Sequence, residues 1–367
     1  MKKLVLILVA LFTCTPMSVV HAAGPIVHIT SKAHQNFTGE FRNDELAQEL
    51  LPTGSLGKLV FTPTVKNKVW VIDPALIDEV IAMTADYKLA SDGEPVGTEA
   101  AIAWINQLKQ ITNGQEVIAL AYGNPDVSLA KRLAPSELRK YYAFGKSQLE
   151  TALDRTVRSE PSGGWSKGKS SLNNQMRKQY SDNRKALTKL SRVVTDPQLI
   201  KLRAQLAKLL SPSLDKEARE FFSNNANTAV AATVNKLRIN GGKYQITTSN
   251  VKLPVTVINE FETDVIIDVA MVPINSRVIV DSFAGVNIPA NSKRQLEMKV
   301  EVIAPGQTVV TAQITDDKDY PVVPEALLSF NSTVIDARVT WFTTGAAILL
   351  LLAAAAQSVR RVRRRVK

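Results

Sequence analysis

The sequence is poor in the side chains that carry redox and metal chemistry: one cysteine, Cys14, and three histidines in 367 residues. Cys14 lies in an N-terminal stretch where Lys2 and Lys3 precede an apolar run at residues 4–12 and small residues end at Ala22. That order predicts a secretory signal peptide, cut after Ala22. The mature chain then has no thiol, which excludes disulfides, thiolate metal sites and a cysteine nucleophile. Phe12 and Thr13 fit poorly before a lipidated Cys14, so cleavage after Ala22 is the preferred reading. No phosphate-loop glycine pattern, HExxH or GxSxG occurs. His28 and His34 flank the first strand without ligand spacing, and no metal or other cofactor is expected.

Charge is present but unevenly placed. The net charge is +11, from 45 Lys+Arg against 34 Asp+Glu. Two positives lie in the leader and six in the tail (Arg360, Arg361, Arg363, Arg364, Arg365, Lys367), leaving +3 over residues 23–338. That is too little to infer a phosphate-binding surface, and nucleic acid is not an expected partner. The remainder is polarised: residues 23–130 carry 7 positives and 13 negatives, residues 131–220 carry 20 and 9, and residues 221–338 carry 10 and 12. Within the basic stretch, Arg177, Lys178, Arg184, Lys185, Lys189, Arg192, Lys201 and Arg203 are the candidate contact for an anionic partner. A solvated helix face is the plainer alternative.

Hydropathy patterning divides the chain. Short apolar strands near residues 26–30, 68–72 and 116–121 alternate with helical periods near 44–51, 75–85 and 98–111, which implies a small α/β layer resembling part of a barrel. Residues 159–171 are rich in Ser and Gly, and residues 172–224 read as helical, with Leu199, Leu202, Leu206 and Leu209 on one stripe. Beyond Gly241 and Gly242 the period becomes two, giving seven or eight short strands of an immunoglobulin-like β-sandwich. Residues 339–359 contain no charge, begin with Trp341 and Phe342 near an interface position, and precede the six tail cations. They predict one C-terminal transmembrane helix with the tail inside the cell. The expected fold class is therefore α+β multidomain: signal peptide 1–22, α/β domain 23–160, linker and basic helical segment 161–240, sandwich 241–338, transmembrane helix 339–359, and basic cytoplasmic tail 360–367.

Two acids follow strands of the α/β layer, where such folds place ligands: Asp73 before Pro74, and Asp126 after Asn124 and Pro125. A pair of carboxylates there could act as acid and base on a glycosidic bond. Both also fit helix caps.

The stretches at residues 39–47, 70–76 (WVIDPAL), 119–127 (ALAYGNPDV) and 246–257 (ITTSNVKLPVTV) together resemble an actinobacterial family of secreted, single-pass membrane proteins of unknown function. Its members are often encoded beside the flippase for the lipid-linked peptidoglycan precursor. The resemblance implies a plasma-membrane protein with its bulk outside the cell. It would bind or scaffold in cell-wall assembly rather than catalyse, with a wall polymer, an anionic lipid or a wall-assembly membrane protein as partner. A glycan hydrolase using Asp73 and Asp126 is the alternative.

Overall fold

A computed structural model describes residues 25–62, 68–91, 93–159, 164–333 and 337–363. The expected signal peptide lies outside the described residues.

The N-terminal part begins with β1 (Ile26–Ile29), α1 (Glu45–Leu50) and α2 (Ser55–Phe61). Next come β2 (Val69–Ile72), α3 (Pro74–Met83), α4 (Thr98–Thr112) and β3 (Glu116–Ala119). The helices α5 (Val127–Leu133) and α6 (Pro135–Leu153) then lead to β4 (Arg158–Ser159). The four strands form one parallel sheet in chain order, β1-β2-β3-β4. Alternation along β2 and β3 decides which face each side chain takes. Trp70, Ile72, Val117 and Ala119 pack under α1–α4, whereas Val69, Val71, Ile118 and Leu120 face the other way and are covered by Trp165. Trp104 of α4 is fully buried and its indole N–H donates to the Leu56 carbonyl at 3.1 Å, which ties α4 to α2. Truncating such a residue typically costs about 3–5 kcal/mol.

A helical layer follows: α7 (Asn174–Leu190), α8 (Pro197–Gln205), a 3₁₀ turn at Leu206–Leu210, and α9 (Lys216–Val234). Each helix starts on a side-chain cap that accepts a backbone N–H of its first turn: Asn173 for α7, Asp196 before Pro197 for α8, and Asp215 for α9.

The C-terminal strands are β5 (Leu237–Ile239), β6 (Gly242–Ile246), β7 (Asn250–Asn259), β8 (Val265–Pro273) and β9 (Val278–Val280). They continue as β10 (Phe283–Ile288), β11 (Ser292–Val302), β12 (Gly306–Thr315) and β13 (Ala326–Ser332). Two sheets result, of order β10-β8-β12-β13-β6 and β5-β7-β11-β9. β11 shows the period: Leu296, Met298, Val300 and Val302 are buried while Glu297, Lys299 and Glu301 face out. One continuous apolar core joins helices to sandwich, running from Leu206 and Phe222 through Val230 and Leu237 to Val257 and Phe261.

The C-terminal expectation requires correction. Residues Ala337–Arg363 form one helix, α10, but among the described residues no helix is long and apolar enough to cross a membrane. The strongly apolar stretch of α10 is only Ile348–Leu352, set among Thr, Gly and Ala, and Arg360, Arg361 and Arg363 continue the same helix. A bilayer span needs about 20 predominantly apolar residues. The fold is thus a mixed α+β one without the expected transmembrane helix. The single-pass topology read from the basic tail and the plasma-membrane location fall with it; Arg364, Arg365 and Lys367 lie outside the described residues.

Candidate functional site

The two acids singled out from the sequence are both consumed by backbone. Asp73 ends β2 and caps α3: one carboxylate oxygen accepts the Ala75 N–H at 3.0 Å and the Gly123 N–H at 3.0 Å. Only 4% of Asp73 is exposed, and burial raises its pKa to about 7 against the opposing pull of those two N–H groups. Asp126 caps α5, one oxygen accepting from Ser128 N–H at 2.9 Å and Leu129 N–H at 3.1 Å, the other from Ser170 N–H at 2.8 Å.

Lys208 fills the space beside Asp73. It projects from the 3₁₀ turn after α8, and its ammonium donates to Glu79 Oε1 at 2.6 Å and to the Gln35 carbonyl at 3.3 Å. The Lys208 and Glu79 side chains are 3% and 2% exposed. Glu79 is held in turn by the His34 N–H at 3.0 Å. Gly123 permits this approach: its φ is +74°, and a Cβ there would stand 2.9 Å from Lys208 N. The cavity left among Asp73, Glu79, Gly123 and Lys208 is about 10 Å³ and does not touch Asp126. That is about the volume that holds a single water.

The glycan-hydrolase expectation is therefore corrected. The cavity at Asp73 does not include Asp126, and each carboxylate caps a helix by accepting backbone N–H groups. Among the described residues no group of three His, Cys, Asp or Glu could hold a metal ion. His34 is buried, with a ring nitrogen 3.2 Å from Ser31 Oγ, and burial lowers its pKa.

The eight basic candidates separate into different surroundings. Arg177, Lys178, Lys185 and Lys189 lie on the exposed face of α7, with Lys178 paired to Asp182 at 2.6 Å. Arg192 reaches the sandwich, 3.2 Å from Asp316 and over the Tyr320 ring. Arg184 is half-buried, and Arg203 is buried against Glu137, its Nε donating to Oε2 at 2.6 Å and its Nη2 to Oε1. Of the eight, Arg203 lines a cavity on one side of α8 and Lys201 lines a cleft on the other.

That cleft, of about 420 Å³, lies where the loop at residues 35–39 meets α8, α9 and Phe261, between β7 and β8 of the sandwich. Its polar wall is Gln198, Lys201, Gln205, Thr233 and Lys236, with no carboxylate among the lining residues. Gln205 is 8% exposed and its amide has no hydrogen-bond partner among the described residues. The Lys236 ammonium sits 5.5 Å from the Phe261 ring centre. On the opposite face of α8 is a second cavity, of about 350 Å³, between α6 and α8.

Sequence reasoning missed Glu79, Lys208, Glu137 and Gln205. One signal was there to use: Lys208 interrupts the apolar run Leu206, Ala207, Leu209, Leu210. A lone cation in such a run needs a buried counter-charge.

Among solved structures, an MSP family member of C. elegans, WR4, is 10% identical, covering 27% of this chain and 98% of that one, with a TM-score of 0.21. The PapD-like domain 7 of human CEP192 is 11% identical over 28% of this chain and 87% of that one, with a TM-score of 0.22. The E. coli chaperone DraB is 8% identical over 26% and 52%, with a TM-score of 0.19. Scores this low carry no argument about the chain. No curated protein matches it. A family model described as "Family of unknown function (DUF6049)" matches residues 133–364. The resemblance drawn from sequence is corrected accordingly: these matches bring no actinobacterial source, and the described residues hold no helix fit for a membrane. The cell-envelope and cell-wall-assembly role, with its lipid, polymer and membrane-protein partners, rested on that resemblance and its anchor and falls with them.

Proposed function

The chain belongs to the DUF6049 family of unknown function, and from that premise we propose that it is a non-enzymatic binding protein whose ligand seat is the cleft along α8. The reading is carried by Gln205, whose side-chain amide bonds to no other described residue and opens on a 420 Å³ space. An amide free of protein partners offers both its N–H and its C=O to a ligand. Gln198 and Thr233 add further donors and acceptors, and Lys201 and Lys236 supply two positive charges without a lining carboxylate to cancel them. This chemistry fits a small, hydroxyl-rich molecule bearing an acidic group, such as a sugar acid or a sugar phosphate. The closed space at Asp73 supports the non-enzymatic part, since the strand ends where α/β folds place substrates are filled by Lys208.

Calorimetric titration with glucuronate and with glucose 6-phosphate, using glucose as the neutral control, tests the proposal. One-site binding of at least one anion is expected, weakened about tenfold or more by Lys201→Ala and by Gln205→Leu but unaffected by Lys178→Ala on the exposed face of α7. Absence of binding by both anions, or binding that neither cleft variant changes, overturns it.

A further inference from the structure

The second face of α8 has a different chemistry, and it is independent of the cleft. Tyr141 and Phe144 of α6, Val194 before α8, and Ile200 and Ala204 of α8 wall the cavity of about 350 Å³. Such a volume and apolar lining are typical of small-molecule pockets that use few polar groups to fix orientation. The polar groups here are Glu137, Arg203 and, at the exposed rim, Lys140. Arg203 spends Nε and Nη2 on the Glu137 carboxylate, and among the described residues nothing accepts from its Nη1. Two cations therefore stand against one carboxylate on this wall. Arg184, immediately behind, adds a third positive charge whose field reaches Tyr141 and Tyr180, and its buried Nε has no hydrogen-bond partner.

We propose that the cavity between α6 and α8 is a second binding site, for an aromatic monoanion: a fused or substituted ring carrying one carboxylate or sulfonate. The flat body would lie among Tyr141, Phe144, Val194 and Ala204, where aromatic neighbours favour edge-to-face or offset packing. The acidic group would accept from Arg203 Nη1 and face Lys140. A neutral ring gains the apolar burial without these charge-assisted bonds, which are about twice as strong as neutral ones.

Calorimetric titration of the full chain with naphthoate, against naphthyl methanol of the same ring size, tests the site. We expect one naphthoate per chain and binding at least about tenfold weaker for the alcohol. Ala204→Trp fills the cavity and should abolish binding. Ile200→Glu puts a negative charge at the rim on a residue already 50% exposed, so folding is preserved, and should weaken naphthoate at least about tenfold more than it weakens naphthyl methanol. The proposal is overturned by no naphthoate binding, by equal affinity for acid and alcohol, or by naphthoate affinity unmoved in Ile200→Glu.

Discussion

Replacing Lys208 with Met is the sharpest perturbation of the plugged strand ends. Met keeps most of the volume of the lysine stem, so packing against Gly123 is preserved and the change is mainly electrostatic. Glu79 is left 2% exposed with the His34 N–H at 3.0 Å as its remaining hydrogen bond. Removing one member of a buried pair costs about 3–5 kcal/mol, because the survivor keeps its desolvation penalty without its partner. Glu79→Met alone should cost a similar amount by stranding the ammonium. The double variant should cost only about 1–3 kcal/mol, the loss borne by the His34 N–H and Gln35 carbonyl left unpaired. Urea unfolding followed by the fluorescence of buried Trp70 and Trp104 reads the α/β layer, and a loss of about 4 kcal/mol moves the midpoint by roughly 1–2 M. Single variants that each cost less than about 1 kcal/mol, or whose costs simply add in the double variant, refute the reasoning.

Asp73 gives a pH dependence. Its pKa rises from 3.8 to about 7 on folding, so between these values the folded chain binds more protons than the unfolded one. Stability contributed by the neutral carboxyl is present at low pH and is lost as pH rises from about 4 to about 7, at up to ~1.4 kcal/mol per pH unit. Asp73→Asn keeps an oxygen for the Ala75 and Gly123 N–H groups and should flatten the slope in that window; an unaltered slope in urea titrations across pH would assign it elsewhere. Asp126→Ala removes the acceptor of three N–H groups and should cost roughly 1–3 kcal/mol, with Asp126→Asn recovering at least half; a neutral Asp126→Ala would show that the cap bears no weight. Gly123→Ala should destabilise by more than about 1 kcal/mol, since it combines a positive φ with a contact on Lys208 backbone, and the same urea midpoints measure it.

Local signals in the sequence carried much of the architecture. The strand at Val69–Ile72 and the helix at Pro74–Met83 follow from an apolar run meeting Asp-Pro, and the helix at Thr98–Thr112 from its 3.6-residue period. The period-two stretch from Gly242 yields the strands of the two sheets except β5, which precedes it. What escaped was set by long-range pairing. Glu79 sits 129 positions from Lys208, and Glu137 66 positions from Arg203; no local pattern announces such partners. Reading the eight basic residues as one contact surface failed to anticipate that Arg192 and Arg203 are engaged by Asp316 and Glu137. In the C-terminal run, the absence of charge and the many Thr, Gly and Ala residues make 339–359 read as a longer apolar stretch than Ile348–Leu352 provides.

The helix α8 is a wall shared by two cavities, with Leu199, Leu202 and Gln205 toward one and Ile200, Arg203 and Ala204 toward the other. Occupants of two such seats can influence each other only by favouring different positions of the wall, and whatever factor one imposes on the other is returned in the opposite direction. Here the wall is fastened at both ends. Asp196 holds the first turn and accepts from the Glu262 N–H of the sandwich at 3.4 Å, and Lys208 clamps the far end to Glu79. With a nine-residue helix fastened in this way, the two proposed seats are expected to fill independently, and breaking the Lys208–Glu79 pair is expected to couple them.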